Sequence, residues 1–196
     1  MKIRWLRLSD SPPQADIMTS LYMAADVLRL LAGGRLHRAF AAVVVTDPKV
    51  LPETQDPSWD SFLHAIRCEA WIGAKEYRSA ERDYLENARH KAFTAWRLPY
   101  SSTGMFLLDD RDRLVDNDSL WPGAIWSMEV GAIAVSGLTP EEDEWLSGQI
   151  LRRIQELSYL EDGRDCFKSI YPEGDQDTFG GLSFNYPPDF SIFDGA

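Results

Sequence analysis

The chain has few of the residues that form metal and redox centres. Among its 196 residues are two cysteines, Cys68 and Cys166, and three histidines, His37, His64 and His90. No pair of them has the spacing of zinc ligands, and no Cys-x-x-Cys occurs. Two isolated cysteines are typical of buried thiols rather than of a disulfide framework. The sequence therefore predicts neither a metal ion nor a cofactor.

Long apolar runs are also missing. The longest, residues 39–45, is far shorter than the roughly 20 residues that span a membrane. The first ten residues alternate charge and bulk, which is unlike the continuous apolar core of a signal peptide. We expect a cytoplasmic protein that does not bind membranes.

Motifs of phosphate binding and nucleophilic catalysis are absent from the sequence as well. The glycine pairs Gly33-Gly34 and Gly180-Gly181 belong neither to a P-loop nor to a Gly-x-Gly-x-x-Gly pattern. No Gly-x-Ser-x-Gly elbow occurs either. These patterns assign no catalytic residue.

Basic residues are scarce in the second half of the chain. Residues 1–100 contain 14 Lys/Arg and 12 Asp/Glu, a net of +2, whereas residues 101–196 contain 6 and 19, a net of −13. Nucleic-acid binding is disfavoured because phosphate contacts need a basic surface. An acidic surface attracts basic partners. The charge therefore indicates a basic protein partner, or else a surface that only keeps the protein soluble.

Apolar residues recur with the periods of helices and strands over residues 1–170. This pattern predicts one α+β domain. We predict a mixed or antiparallel sheet of about four to five strands, packed by three long helices. The predicted elements are long helices over about 12–31, 76–97 and 139–159, a short helix over 58–66, strands over 2–8, 39–46 and 125–136, a strand or turn over 71–73, and a hairpin over 105–115. Charged residues of the helix over 76–97, including Arg89 and Lys91, are expected on its outer face. Residues 171–196, rich in proline, glycine and aromatic residues, predict an irregular tail docked on the domain or on a partner.

The densest acidic stretch lies in the predicted hairpin and is the first candidate site. Its members are Asp109, Asp110, Asp112, Asp116 and Asp118. An EF-hand calcium loop is excluded because it needs a central glycine, and no glycine lies between the first and last of these residues. A solvated turn explains the stretch. An acidic surface that recognises a partner is the alternative.

The predicted start of the last helix adds a second candidate. Thr139, Pro140 and Glu142 have the pattern of a capping box with proline in the first turn. Acids there complement the helix dipole. We nevertheless include Glu141, Glu144 and Trp145 among the partner-binding candidates. Trp145 lies one position off the buried stripe, and aromatic residues ringed by charge are common interface anchors.

Glu129 is a separate, alternative candidate for acid/base chemistry. It stands alone in an apolar stretch, where burial would raise the pKa of its carboxyl group. The alternation of the stretch favours the opposite orientation, in which the side chain faces water.

Taken together, these patterns predict an acidic protein-binding module. Its most concrete form is an inhibitor or immunity-type protein that neutralises a basic partner such as a toxin nuclease. The alternatives are a small carboxylate-dependent enzyme and a structural or assembly subunit that forms homo-oligomers.

Overall fold

The elements of the fold alternate between helices and strands. The computed structural model describes residues 1–32, 40–52, 57–73, 83–98, 102–109 and 111–170, without the side chains of 31–32 and 161–170. In chain order the elements are β1 (Lys2–Trp5), α1 (Gln14–Ala32), β2 (Phe40–Thr46), α2 (Trp59–Ala65), β3 (Ile66–Gly73), α3 (Tyr84–Arg97), α4 (Thr103–Asp109), a 3₁₀ helix (Arg111–Arg113), β4 (Ala124–Ser127), β5 (Gly131–Ser136) and α5 (Pro140–Ile170). A single α+β domain is thus confirmed. Residues Met1–Tyr159 form one compact unit that contains the whole sheet, and Leu160–Ala196 form a second unit. The predicted tail, 171–196, lies outside the described residues.

The five strands form one antiparallel sheet in the order β1-β3-β2-β5-β4. β2 lies at its centre, and every residue of β2 is buried. This explains the continuous apolar, β-branched run of that strand, because both of its faces are covered by helices.

The sheet divides the core into two layers, and helices cover each layer. Val43 and Val45 pack with α1 and α5. Ala42 and Val44 face the opposite layer, which is formed by α2 and α3. Aromatic rings fill that second layer, where Phe62 of α2 and Phe93 of α3 meet edge to face with centroids 5.4 Å apart.

The helix predictions are confirmed for α1, α3 and α5, with differences at the ends. α3 begins at Tyr84 because the carboxylate of Asp83 accepts hydrogen bonds from the amides of Leu85 and Glu86, both at 3.1 Å. Residues 74–82, where the predicted helix would start, lie outside the described residues. Ser58 caps α2 as predicted, accepting from the amide of Ser61.

Two predicted strand features are wrong. The segment 105–115 is not a hairpin but α4 followed by the 3₁₀ helix. The segment 125–136 is not one strand but the hairpin β4–β5, which turns before Gly131. Gly131 has φ +87°, and a Cβ there would lie 2.9 Å from the carbonyl oxygen of Thr46, so only glycine fits this turn.

β3 runs from Ile66 to Gly73, whereas the sequence predicts a strand or turn only over 71–73. The prediction is too short because charged residues inside the strand interrupt its apolar pattern. Arg67 and Glu69 are fully buried on this strand. Glu69 forms ion pairs with Arg4 of β1 and Arg89 of α3, the latter at 2.7 Å. The charges that interrupted the apolar pattern therefore belong to the interior.

Candidate functional site

The residues of the acidic stretch do not all lie on the surface of the protein. Asp118 lies inside the fold, with a side chain that is 1% exposed and forms an ion pair with Arg97 of α3. Its carboxylate also accepts a hydrogen bond from the amide of Val115 at 2.9 Å, and Arg97 donates to the carbonyl of Arg113 at 3.0 Å. Asp118 therefore fastens the loop after the 3₁₀ helix onto α3.

Four of the predicted partner-binding acids are exposed, and we name them the acidic rim: Asp109, Asp112, Asp116 and Glu141. Among the described residues, none of these carboxylates forms an ion pair or a side-chain hydrogen bond. Asp110 lies outside the described residues. The acidic rim is therefore free to meet a partner, and whether it does so stays a prediction.

Glu144 joins the N-terminus of α4 to the start of α5. Its carboxylate accepts hydrogen bonds from the Gly104 amide at 2.7 Å, the Ser102 hydroxyl at 2.7 Å and the Thr103 hydroxyl at 3.2 Å. These donors lie at the N-terminus of α4, where backbone amides lack partners within the helix. Glu144 is thus a cap that holds α4 against α5.

The remaining features of the α5 start match their sequence patterns. The capping box is present, since Glu142 accepts from the Thr139 amide at 3.1 Å and Thr139 accepts from the Glu142 amide at 3.3 Å. The side chain of Trp145 is 47% exposed, so it does not belong to the core.

Glu129 faces water, as the alternation favoured. It lies in the turn between β4 and β5 and is exposed. Its carboxylate accepts hydrogen bonds from the side-chain amide of Gln155 at 3.0 Å and from the Tyr159 hydroxyl at 3.4 Å, and both of these residues lie on α5. The burial that would have tuned Glu129 for acid/base chemistry is absent.

Three segments of the fold line a groove of about 690 Å³. One wall is α3, with Tyr84, Asn87 and His90. The second wall is the loop of residues 117–121. The third is the connection from Ser136 to Pro140 between β5 and α5. Asp116 and Glu141 of the acidic rim are the chain neighbours of the second and third walls.

A buried ion pair also lines this groove. Lys91 of α3 donates to Asp143 of α5 at 2.7 Å and to the carbonyl of Val135 at 3.2 Å. The two side chains are only 5% and 3% exposed. Burial raises the pKa of Asp143, an effect that Lys91 and the hydrogen bond from the Leu138 amide oppose.

Sequence reasoning missed this pair because Lys91 was expected on the outer face of its helix. Its partner lies 52 residues later, inside an acidic run that dipole stabilisation already explained. No local pattern distinguishes Lys91 from the other basic residues of α3.

The described residues contain no group of three or more His, Cys, Asp or Glu side chains placed to hold a metal ion. Cys68 is fully buried, and this burial raises the pKa of its thiol to about 12. Such a thiol does not form the thiolate that nucleophilic catalysis needs. Within the described ranges, no helix has both the length and the apolar character needed to cross a bilayer.

Comparisons with known proteins add little to this geometry. No protein-family model matches the chain, and no curated protein matches it. Among solved structures, the chain is similar to the protein ORFY of Klebsiella pneumoniae, described as DUF336, with 15% identity and a TM-score of 0.45. The match covers 71% of this chain and 88% of that one. A likeness of this size carries no conclusion about function.

Proposed function

We propose that this chain is an acidic protein-binding module that engages a basic protein, most concretely as an inhibitor or immunity-type protein that neutralises a toxin nuclease. The observation that carries the proposal is the acidic rim, whose four carboxylates are exposed and without partners among the described residues. The surrounding segment, residues 102–145, contains ten acidic and two basic residues, a net of −8. A cytoplasmic location and the absence of nucleic-acid binding accompany this function.

Two exposed tryptophans in the same acidic segment, residues 102–145, support an interface rather than a solubility surface. Trp121 is 64% exposed and Trp145 47% exposed. Tryptophan is enriched among residues that dominate binding energy, and surrounding charge sets partner choice and association rate. Glu144 contributes indirectly, because its cap holds α4 against the helix that carries Glu141 and Trp145.

The test is binding to a basic nuclease encoded beside this chain, measured by calorimetry at 50 and 300 mM salt. We expect the affinity to fall at least tenfold at the higher salt concentration, because exposed charges are screened. Nuclease activity should be lost when one equivalent of the chain is added.

Matched variants separate the acidic rim from net charge. Asp112→Asn/Asp116→Asn should weaken binding at least tenfold, as should Trp145→Ala. The control Asp26→Asn/Glu156→Gln removes the same charge from exposed sites on α1 and α5 and should leave affinity within twofold. Equal losses in both double variants, or binding indifferent to salt, would refute the proposal.

A further inference from the structure

The groove has the size of a small-molecule site. Its volume of about 690 Å³ falls inside the range of roughly 300–1,000 Å³ that is usual for ligand pockets. Two of its walls are loops, and loops held by a rigid scaffold commonly carry binding residues.

The charges that line the groove are matched within the protein. Lys91 pairs with Asp143, and Asp118 pairs with Arg97. His90 is held by a contact of 2.7 Å between its Nδ1 and the carbonyl oxygen of Asn117. An ionic ligand would have to compete with these pairs, so the groove suits an uncharged one.

Among the described lining residues, two neutral side-chain amides have no hydrogen-bond partner. The side chains of Asn87 and Asn117 line the groove, and neither amide has a hydrogen-bond partner among the described residues. Each amide offers both donors and an acceptor. The ammonium of Lys91 has three N–H groups and two acceptors in the described structure, Asp143 and the carbonyl of Val135. Together these groups match a ligand edge that carries an N–H beside a C=O.

Aromatic side chains complete the lining. Tyr84 contributes from α3, and Trp121 from the loop of residues 117–121. Trp121 is 64% exposed and makes no ring–ring contact with another described aromatic residue, so its face is available for stacking. Stacking on an exposed aromatic ring is the usual way in which proteins hold flat heterocycles.

We propose that this groove binds an uncharged planar heteroaromatic ring with a lactam edge, the ring type of inosine and uridine. The amides of Asn87 and Asn117 read the N–H/C=O edge, and Trp121 stacks on the ring. The site shares Trp121 with the surface proposed to bind a protein, but none of its residues belongs to the acidic rim, so variants of the acidic rim test the two proposals separately.

The experiment is calorimetric titration of the full chain with inosine, uridine, purine riboside and inosine monophosphate. We expect saturable submillimolar binding of inosine or uridine. Purine riboside lacks the lactam edge and should bind at least tenfold more weakly. Inosine monophosphate should bind no more tightly than inosine, because the described residues that line the groove include no unpaired cation. No saturable binding of either lactam nucleoside at 5 mM overturns the proposal, as does equal affinity for purine riboside.

Variants at exposed positions test the assigned residues without threatening the fold. Trp121→Ala should weaken nucleoside binding at least tenfold and Asn87→Ala at least threefold. Trp145→Ala, an equally large change at an exposed tryptophan outside the groove, should leave it within twofold. Asp112→Asn/Asp116→Asn should also leave it unchanged, which separates this site from the protein interface. A loss in Trp145→Ala as large as in Trp121→Ala overturns the assignment.

Discussion

At the scale of single residues, the charged side chains in the interior differ in whether they have an ion-pair or hydrogen-bond partner. Glu69, Asp118 and the Lys91–Asp143 pair all have partners of opposite charge. Arg67 is fully buried and donates from Nη2 to the carbonyl of Ser9, but its Nε and Nη1 have no partner among the described residues. Burial lowers the pKa of this guanidinium, and the carboxylate of Asp47 opposes the effect. A buried donor without an acceptor costs free energy.

We therefore predict that Arg67→Met leaves the free energy of unfolding within about 1 kcal/mol of the parent chain, or raises it, because a similar volume replaces unpartnered donors. Arg67→Ala should lower the free energy of unfolding by about 2–4 kcal/mol, because it leaves a cavity. Urea denaturation followed by tryptophan fluorescence measures both variants. Equal losses in the two would show that the guanidinium charge itself stabilises the fold.

At the scale of elements, some helices and strands depend on contacts with distant segments of the chain. The local sequence pattern does not predict these elements. α4 has seven residues, too few to form alone, and its N-terminus is capped by Glu144 from another helix. The local sequence pattern therefore predicts a hairpin there, which the contact with Glu144 overrides. The long helices α1 and α3 were predictable because their apolar stripes are local. β3 was only partly predictable, because the partners of Glu69 come from β1 and α3.

Removal of the Glu144 cap should loosen α4. We expect Glu144→Ala to lower the free energy of unfolding by about 1–3 kcal/mol, because three donors lose a charged acceptor. Glu141→Ala, three positions earlier on the same helix and exposed, should change the free energy of unfolding by less than about 0.5 kcal/mol. Chemical denaturation of both variants makes the comparison, and similar losses would assign the effect to the helix dipole instead.

The Lys91–Asp143 pair fastens α3 to α5, and a double-mutant cycle measures it. Asp143→Leu alone should lower the free energy of unfolding by about 3–5 kcal/mol, because it leaves the Lys91 ammonium buried without its carboxylate. Lys91→Met/Asp143→Leu should recover most of that loss, since it replaces both charges with apolar groups. Additive losses in the double variant would mean that each side chain acts through packing rather than through the pair.

At the scale of the whole molecule, connections between elements of the fold line the groove. The loop of residues 117–121 and the connection from Ser136 to Pro140 both line the groove, and the second follows a fully buried strand. Charge asymmetry pointed from the sequence to the acidic rim. It could not point to the groove, because the groove needs three segments far apart in the chain. Composition therefore indicates which half of the chain is acidic, while the order of the strands and helices determines where the groove opens.

The same architecture predicts a gradient of amide hydrogen exchange across the sheet. β2 is fully buried and bonded on both sides, so its amides should exchange only through global unfolding. β1 is an edge strand with no buried residue and should exchange at least about 100-fold faster through local opening. β4, the other edge, should be intermediate, because the bridge from Ser102 to Ile125 and the hydrogen bond that the Ala124 amide donates to the Thr103 hydroxyl cover part of its outer side. Exchange followed by mass spectrometry at peptide resolution orders the three strands. Equal protection of β1 and β2 would mean that the ion pair of Arg4 with Glu69 couples the edge strand to the global unfolding of the sheet.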